Sequence, residues 1–236
     1  MSANADVLHI GEVVEGLSSE AARPEVEPLV ETSAWNPEDF AREQIRGLVR
    51  RVFFSGVGPP VRQVVFSAAE AETNVGAICE EVARELASET RGSIAIVSRE
   101  PRAVATAQAG RHRGRVAPLK ARSDQIGMNL WRVSEMGVRE SGEESRTGRY
   151  WPSCLSELRD EFDYAVIHAP PAGASSEAAL LGQLTDGVIL VLEAHHTRKA
   201  SARRIKEALE SAQARILGIV LSERTFPIPA RIYRRL

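Results

Sequence analysis

Six short apolar runs punctuate this chain, and their alternation with stretches of helical spacing constrains the fold more than any other feature. They are Val64 to Phe66, Ser93 to Val97, Asn129 to Val133, Tyr164 to Ile167, Gly187 to Leu192 and Ile216 to Leu221. Each has the length of a strand and is apolar nearly throughout, the pattern of strands buried on both faces rather than one. Between and before them the spacing changes to helical. Asn36-Pro37-Glu38-Asp39 supplies a cap, a proline at the first helical position and acids in the first turn, which predicts a helix to about Phe53 with Ile45, Leu48, Val49 and Val52 inward. Ile78, Val82 and Leu86 recur at helical spacing after Thr73 or Asn74 as cap. Trp151 to Glu161 is a short helix with Leu155 and Leu158 inward, Ser175-Ser176-Glu177 caps a helix through Leu184, and Thr197 opens one to about Gln213. Gln108 to Arg122 and Gly137 to Gly148 are polar and read as mobile excursions. The expectation is an α/β fold, a mostly parallel sheet with helices on both faces and ligand crevices outside the carboxyl ends of the strands.

A chain of 236 residues, 43% hydrophobic, can bury one substantial core, so residues 36–236 are read as a single domain. Residues 1–35 carry Asp6, Glu12, Glu15, Glu20, Glu25, Glu27 and Glu31 against Arg23, and read as a disordered acidic arm. A net charge of -2 gives no overall nucleic-acid footprint. There is no apolar run of the ~18 residues a membrane span needs, and the first residues lack the pattern of a signal peptide, which points to the cytoplasm. Cys79 and Cys154 make no disulfide framework and read as reduced and structural.

The segment from Gln63 to Ala87 has the strand, turn and helix order of a phosphate-binding loop with different chemistry in the turn. Such a loop needs glycines for close backbone approach to phosphates, a lysine for the terminal phosphates and a hydroxyl for magnesium. Here Ala71 and Thr73 stand where glycines belong, Asn74 at the lysine position and Val75 at the hydroxyl, while Glu70 and Glu72 add negative charge. A lysine–phosphate contact at about 4 Å is worth roughly 4 kcal/mol at an effective dielectric near 20, so its loss alone weakens binding by about a thousandfold.

Several strand ends line up with the motifs of one family over roughly Phe40 to Leu236. FDYAVIHAPP (Phe162 to Pro171), LTDGVILVLEAHHTRK (Leu184 to Lys199), ILGIVLSERTFPIPARIYRRL (Ile216 to Leu236) and the helix EQIRGLVRRVFF together resemble the bacterial tyrosine kinases of capsular and exopolysaccharide systems, within the deviant-Walker class of P-loop ATPases. The resemblance implies a P-loop NTPase-like fold. It also implies site positions, each of which departs from the family pattern. Asn74 replaces the loop lysine and Val75 the magnesium-binding hydroxyl; Ser98 and Glu100 stand for two aspartates, His168 for the Walker B aspartate and Ser222 for an asparagine. Ser67, Thr73, Pro170 and Pro171 complete this vestigial nucleotide site with Glu70 and Glu72. The tail holds Tyr233 where the family has a tyrosine cluster.

From this the sequence reading expects a pseudo-ATPase with no catalytic residue and no cofactor, neither ATP nor magnesium, acting as a scaffold in exopolysaccharide synthesis and export. The resemblance implies a membrane polysaccharide chain-length regulator, another polysaccharide assembly protein or a second copy as partner. Contacts are expected at Glu43, Arg46, Arg50, Arg51 and Tyr233, with peripheral membrane location through the partner. The arginines of that helix read equally as a solvated basic face. The alternatives are an active nucleotide-dependent kinase or ATPase with non-standard motifs, and a partition-type protein binding nucleic acid through basic residues such as Arg198 to Lys206. His168 is either a new base or a histidine satisfying buried polar neighbours. His195 and His196 with His168 and Cys79 lack recognised ligand spacing, and no metal is expected.

Overall fold

The computed structural model describes residues 37–56, 58–98, 118–134 and 150–223. Their elements run α1 (Pro37–Phe53), β1 (Gln63–Ala68), α2 (Val75–Glu89), β2 (Ile94–Ser98), α3 (Leu119–Arg122), β3 (Asp124–Gln125), β4 (Leu130–Ser134), α4 (Tyr150–Glu161), β5 (Tyr164–His168), α5 (Glu177–Leu184), β6 (Gly187–Glu193), α6 (Lys199–Ser211) and β7 (Ile216–Ser222). The acidic arm read at residues 1–35, Glu100 and Tyr233 lie outside the described residues.

The strands form one sheet in the order β3-β4-β2-β5-β1-β6-β7. Every pairing is parallel except β3 with β4. β1 is central, with all six residues buried, and its side chains alternate between two cores. Val64, Phe66 and Ala68 face a core shared with Leu48, Val49 and Val52 of α1 and Val75, Val82 and Leu86 of α2. Val65 faces the opposite core, where Leu155 and Leu158 of α4, Leu181 of α5, and Ile205 and Leu209 of α6 pack. A parallel sheet covered this way exposes its backbone polar groups mainly at the strand ends, and the crevice forms there.

The strand expectations hold to within a residue or two at each end, as does the α1 stripe of Leu48, Val49 and Val52. Both cysteines are free and buried. Three local expectations are corrected. Leu119–Arg122, inside the stretch read as a mobile excursion, is a helical turn: Leu119 is buried, and the Glu161 carboxylate accepts the Leu119 and Lys120 N–H groups at 2.7 Å each. The two-residue strand β3 is an unexpected antiparallel edge. α6 opens at Lys199 rather than Thr197, because the Thr197 hydroxyl is taken up by the Glu193 N–H at 2.9 Å.

Candidate functional site

The turn after β1 and the turn after β5 are laced together at the carboxyl end of the sheet. The Ser67 hydroxyl, fully buried, donates to the Pro170 carbonyl at 2.6 Å. Ala169 N–H donates to the Phe66 carbonyl and Ala172 N–H to that of Ala68, at 2.9 and 2.8 Å. Gly173 completes the approach, since a Cβ there would stand 2.3 Å from the Ala69 carbonyl oxygen. Ala69 N–H in turn reaches the Val191 carbonyl of β6 at 3.0 Å. Three strand ends are thus tied by backbone contacts, with a crevice of about 550 Å³ beside them.

The crevice is lined by Ala68, Thr73, Asn74, Val75, Gly76, Glu80, Arg132, His168 and Pro171, with other small groups between. Asn74 is the N-cap of α2: its Oδ1 accepts the Ala77 N–H at 3.2 Å. Val75 is 2% exposed and packs into the core between α1 and α2. Val75 N–H bonds back to the Thr73 carbonyl at 2.8 Å. Two amides at the helix start are therefore already engaged. The Thr73 Oγ1 atom is buried and has no hydrogen-bond partner. His168 ends β5 in register with Phe66, and its imidazole lies over the loop, with Nδ1 3.8 Å from where a Cβ on Gly76 would be.

The structure brings together Thr73, Asn74, Val75, His168 and Pro171 on the crevice wall, with Ser67 and the Pro170 carbonyl bonded just behind it. Three other residues expected there are placed elsewhere. Glu70 turns toward the loop after β6 and accepts the Thr197 hydroxyl at 3.4 Å. Glu72 is exposed and Ser222 donates to the Leu192 carbonyl at 3.3 Å, bonding β7 to β6. Ser98 ends β2 opposite Ser134. On α1, Arg46 pairs with Glu85 at 2.7 Å and with Glu43 at 3.1 Å, and Arg50 with Glu89 at 2.8 Å. Arg46 and Arg50 thus bridge α1 to α2, and Glu43, Arg50 and Arg51 are all exposed.

Two lining residues escaped the sequence reading. Arg132, in the middle of β4, donates to Glu80 of α2 at 2.6 Å, and the other Glu80 oxygen holds Arg84. A charge inside the otherwise apolar run LWRVS was the available signal. Buried Cys79 also borders the crevice, and burial first, then the neighbouring Glu80, pushes its thiol pKa well up. The neutral thiol is a packing group there.

No family model matches the chain. It is 31% identical over 74 residues to the tyrosine-protein kinase CpsD of Streptococcus agalactiae serotype III (strain NEM316), 31% of this chain and 32% of that one. It is 33% identical over 61 residues to the tyrosine-protein kinase YwqD of Bacillus subtilis (strain 168), 26% of each chain. An uncharacterized ATP-binding protein of Methanocaldococcus jannaschii is 35% identical over 71 residues, 30% of this chain and 27% of that one. The matched stretch spans about a third or less of the length of these relatives. Among solved structures, the kinase domain of the Escherichia coli tyrosine kinase ETK superposes with a TM-score of 0.61 at 16% identity, covering 87% of this chain and 86% of that one. The chimerical protein CapA2B2 gives 0.60 at 17%, covering 78% and 85%.

These matches overturn the expectation that the chain stands outside cofactor chemistry. Its relatives are tyrosine kinases and an ATP-binding protein, and a kinase draws its phosphoryl group from a magnesium-bound nucleotide. The loop's own side chains do not fit that group in the usual way: Asn74 is a helix cap, Val75 is core, and among the described residues no cluster of three His, Cys, Asp or Glu groups could hold a metal ion. Among the described residues no helix is long and apolar enough to cross a membrane. Over part of its sequence the chain is similar to bacterial tyrosine-protein kinases, and over most of its length it shares the P-loop NTPase-like fold of tyrosine-kinase domains.

Proposed function

We propose that this chain is a tyrosine-kinase-like regulatory or scaffolding subunit of capsule or exopolysaccharide synthesis and export, keeping the nucleotide's crevice but not phosphoryl transfer. The observation that carries this reading is Val75, buried at 2% exposure where a transfer-competent loop presents a hydroxyl to magnesium. Asn74 supports it by spending its side chain on the α2 N-terminus. His168 supports it too, since neutral imidazole is a poor ligand for a cation that takes oxygen donors. Transfer depends almost wholly on positioning and electrostatic stabilisation, so these losses compound. The partner in this reading is a membrane polysaccharide chain-length regulator or a second copy, meeting the outer face of α1 at Glu43 and Arg51 and bringing the chain to the membrane periphery.

The test combines the purified chain with the chain-length regulator and magnesium-ATP. Stable complex formation is expected, weakened by charge reversal at Glu43 and Arg51, with phosphotyrosine on neither protein by mass spectrometry. Magnesium-ATP-dependent phosphotyrosine on either protein, or no complex, refutes the proposal.

A further inference from the structure

We infer that Arg132 is the phosphate-binding cation of this crevice, held in reserve by Glu80 and released to the phosphates of a bound nucleotide. The ligand class rests on the kinase-like reading of the crevice; the role of Arg132 rests on its geometry. The loop lacks a lysine, and two of its first helical amides are bonded internally, Val75 N–H to Thr73 and Ala77 N–H to Asn74. A phosphate entering here therefore needs a charged donor from another element. Arg132 is the one arginine or lysine among the described residues lining the crevice. Its side chain is 42% exposed, directs one bond to Glu80 at 2.6 Å, and carries a planar array of donors suited to phosphate oxygens.

Glu80 is built to let it go. Its second oxygen is held by Arg84, one helical turn along α2, so transfer of Arg132 from carboxylate to phosphate leaves Glu80 still paired. Thr73 belongs to the same lining, its Oγ1 buried without a hydrogen-bond partner. The N-terminal end of the 15-residue α2 adds the favourable end of its dipole. Together these place a side-chain cation and a helix terminus beside one cavity of about 550 Å³, ample for a nucleotide.

The experiment titrates ADP into the full chain by calorimetry in magnesium buffer, with melting temperature followed in parallel. Micromolar binding is expected for the natural chain, at least tenfold weaker binding for Arg132→Gln, an intermediate value for Arg132→Lys, and severalfold tighter binding for Glu80→Gln, which frees Arg132. Absence of ADP binding by the natural chain, Arg132→Gln within twofold of it, or weaker binding by Glu80→Gln overturns the inference. Glu80→Gln decides alone if Arg132→Gln fails to fold. Phosphotyrosine is measured on the same samples: its appearance refutes the loss of transfer without touching Arg132, whereas unchanged ADP affinity in the Arg132 variants refutes only the role of Arg132.

Discussion

Placing the family's residues back into the turn, by Asn74→Lys with Val75→Ser, should destabilise the protein. Asn74 caps α2 through the Ala77 N–H, and loss of such a cap costs about 1 kcal/mol. Val75 is 2% exposed in the α1–α2 core. Its replacement by serine forfeits roughly 1.5 kcal/mol of apolar burial and leaves a hydroxyl to be satisfied at about 1–3 kcal/mol. The simple sum is about 3.5–5.5 kcal/mol, and because the residues are adjacent, coupling can shift it by about 0.5–3 kcal/mol either way. Against a total stability of roughly 5–15 kcal/mol this is a large share. For a domain of this size it corresponds to a fall of roughly 7–22 °C in Tm. Reversible thermal or denaturant unfolding of the single and double variants reads the effect directly. A double variant that melts with the natural chain and gains tight magnesium-ATP binding would show that the turn is an ordinary nucleotide loop, and would refute the structural roles of Asn74 as cap and Val75 as core.

Two further outcomes follow from contacts at the two ends of the sheet. Gly173→Ala sets a methyl 2.3 Å from the Ala69 carbonyl oxygen, so the loops must part at a cost of about 1–3 kcal/mol; an unchanged denaturant midpoint would show that they are not in contact. At the other end of the sheet, Asp163 accepts the Ser93 N–H at 2.7 Å and the Ser93 hydroxyl at 3.0 Å, which hold its carboxyl below the usual value. A depressed carboxyl contributes stability that is complete above its unfolded pKa of about 3.9 and is lost as pH falls through the lower folded value. Asp163→Asn should therefore flatten that part of the acid unfolding curve while leaving its neutral limb parallel, and an unaltered acid limb contradicts the assignment.

The sheet was legible because its inner strands are buried on both faces, and that condition writes itself as uninterrupted apolar runs. β3 had no such signature: Asp124 and Gln125 are both exposed, and only their pairing with Arg132 and Trp131 makes them a strand. α3 was hidden for a related reason. Its stabilising carboxylate, Glu161, lies about forty residues further along the chain, and Leu119 is a lone apolar residue in a basic stretch. The altered chemistry of the turn could be read from Asn74 and Val75, but their new roles could not, since a cap and a core contact are properties of geometry. Glu70 was placed at the site as a charge in the turn and Ser222 through the family resemblance; side-chain direction sends them to Thr197 and to the Leu192 carbonyl instead. Arg132 is the converse, a mid-strand residue brought to the crevice by a partner 52 positions away in sequence.

The crevice owes its shape to contacts that need no ligand. The Ser67 hydroxyl on the Pro170 carbonyl, Ala172 N–H on the Ala68 carbonyl and the close approach of Gly173 to Ala69 hold the two turns together behind the crevice wall, so side chains on that wall can change without collapsing it. That separation between a backbone-defined cavity and its lining chemistry explains how kinase-like architecture persists beside a turn whose asparagine and valine serve the helix. It also makes the Arg132–Glu80 pair the part of the site most open to adjustment. Removing one methylene from the chain of contacts behind the turns would strain the fold, but exchanging charges across this pair alters what the crevice attracts and leaves its walls in place.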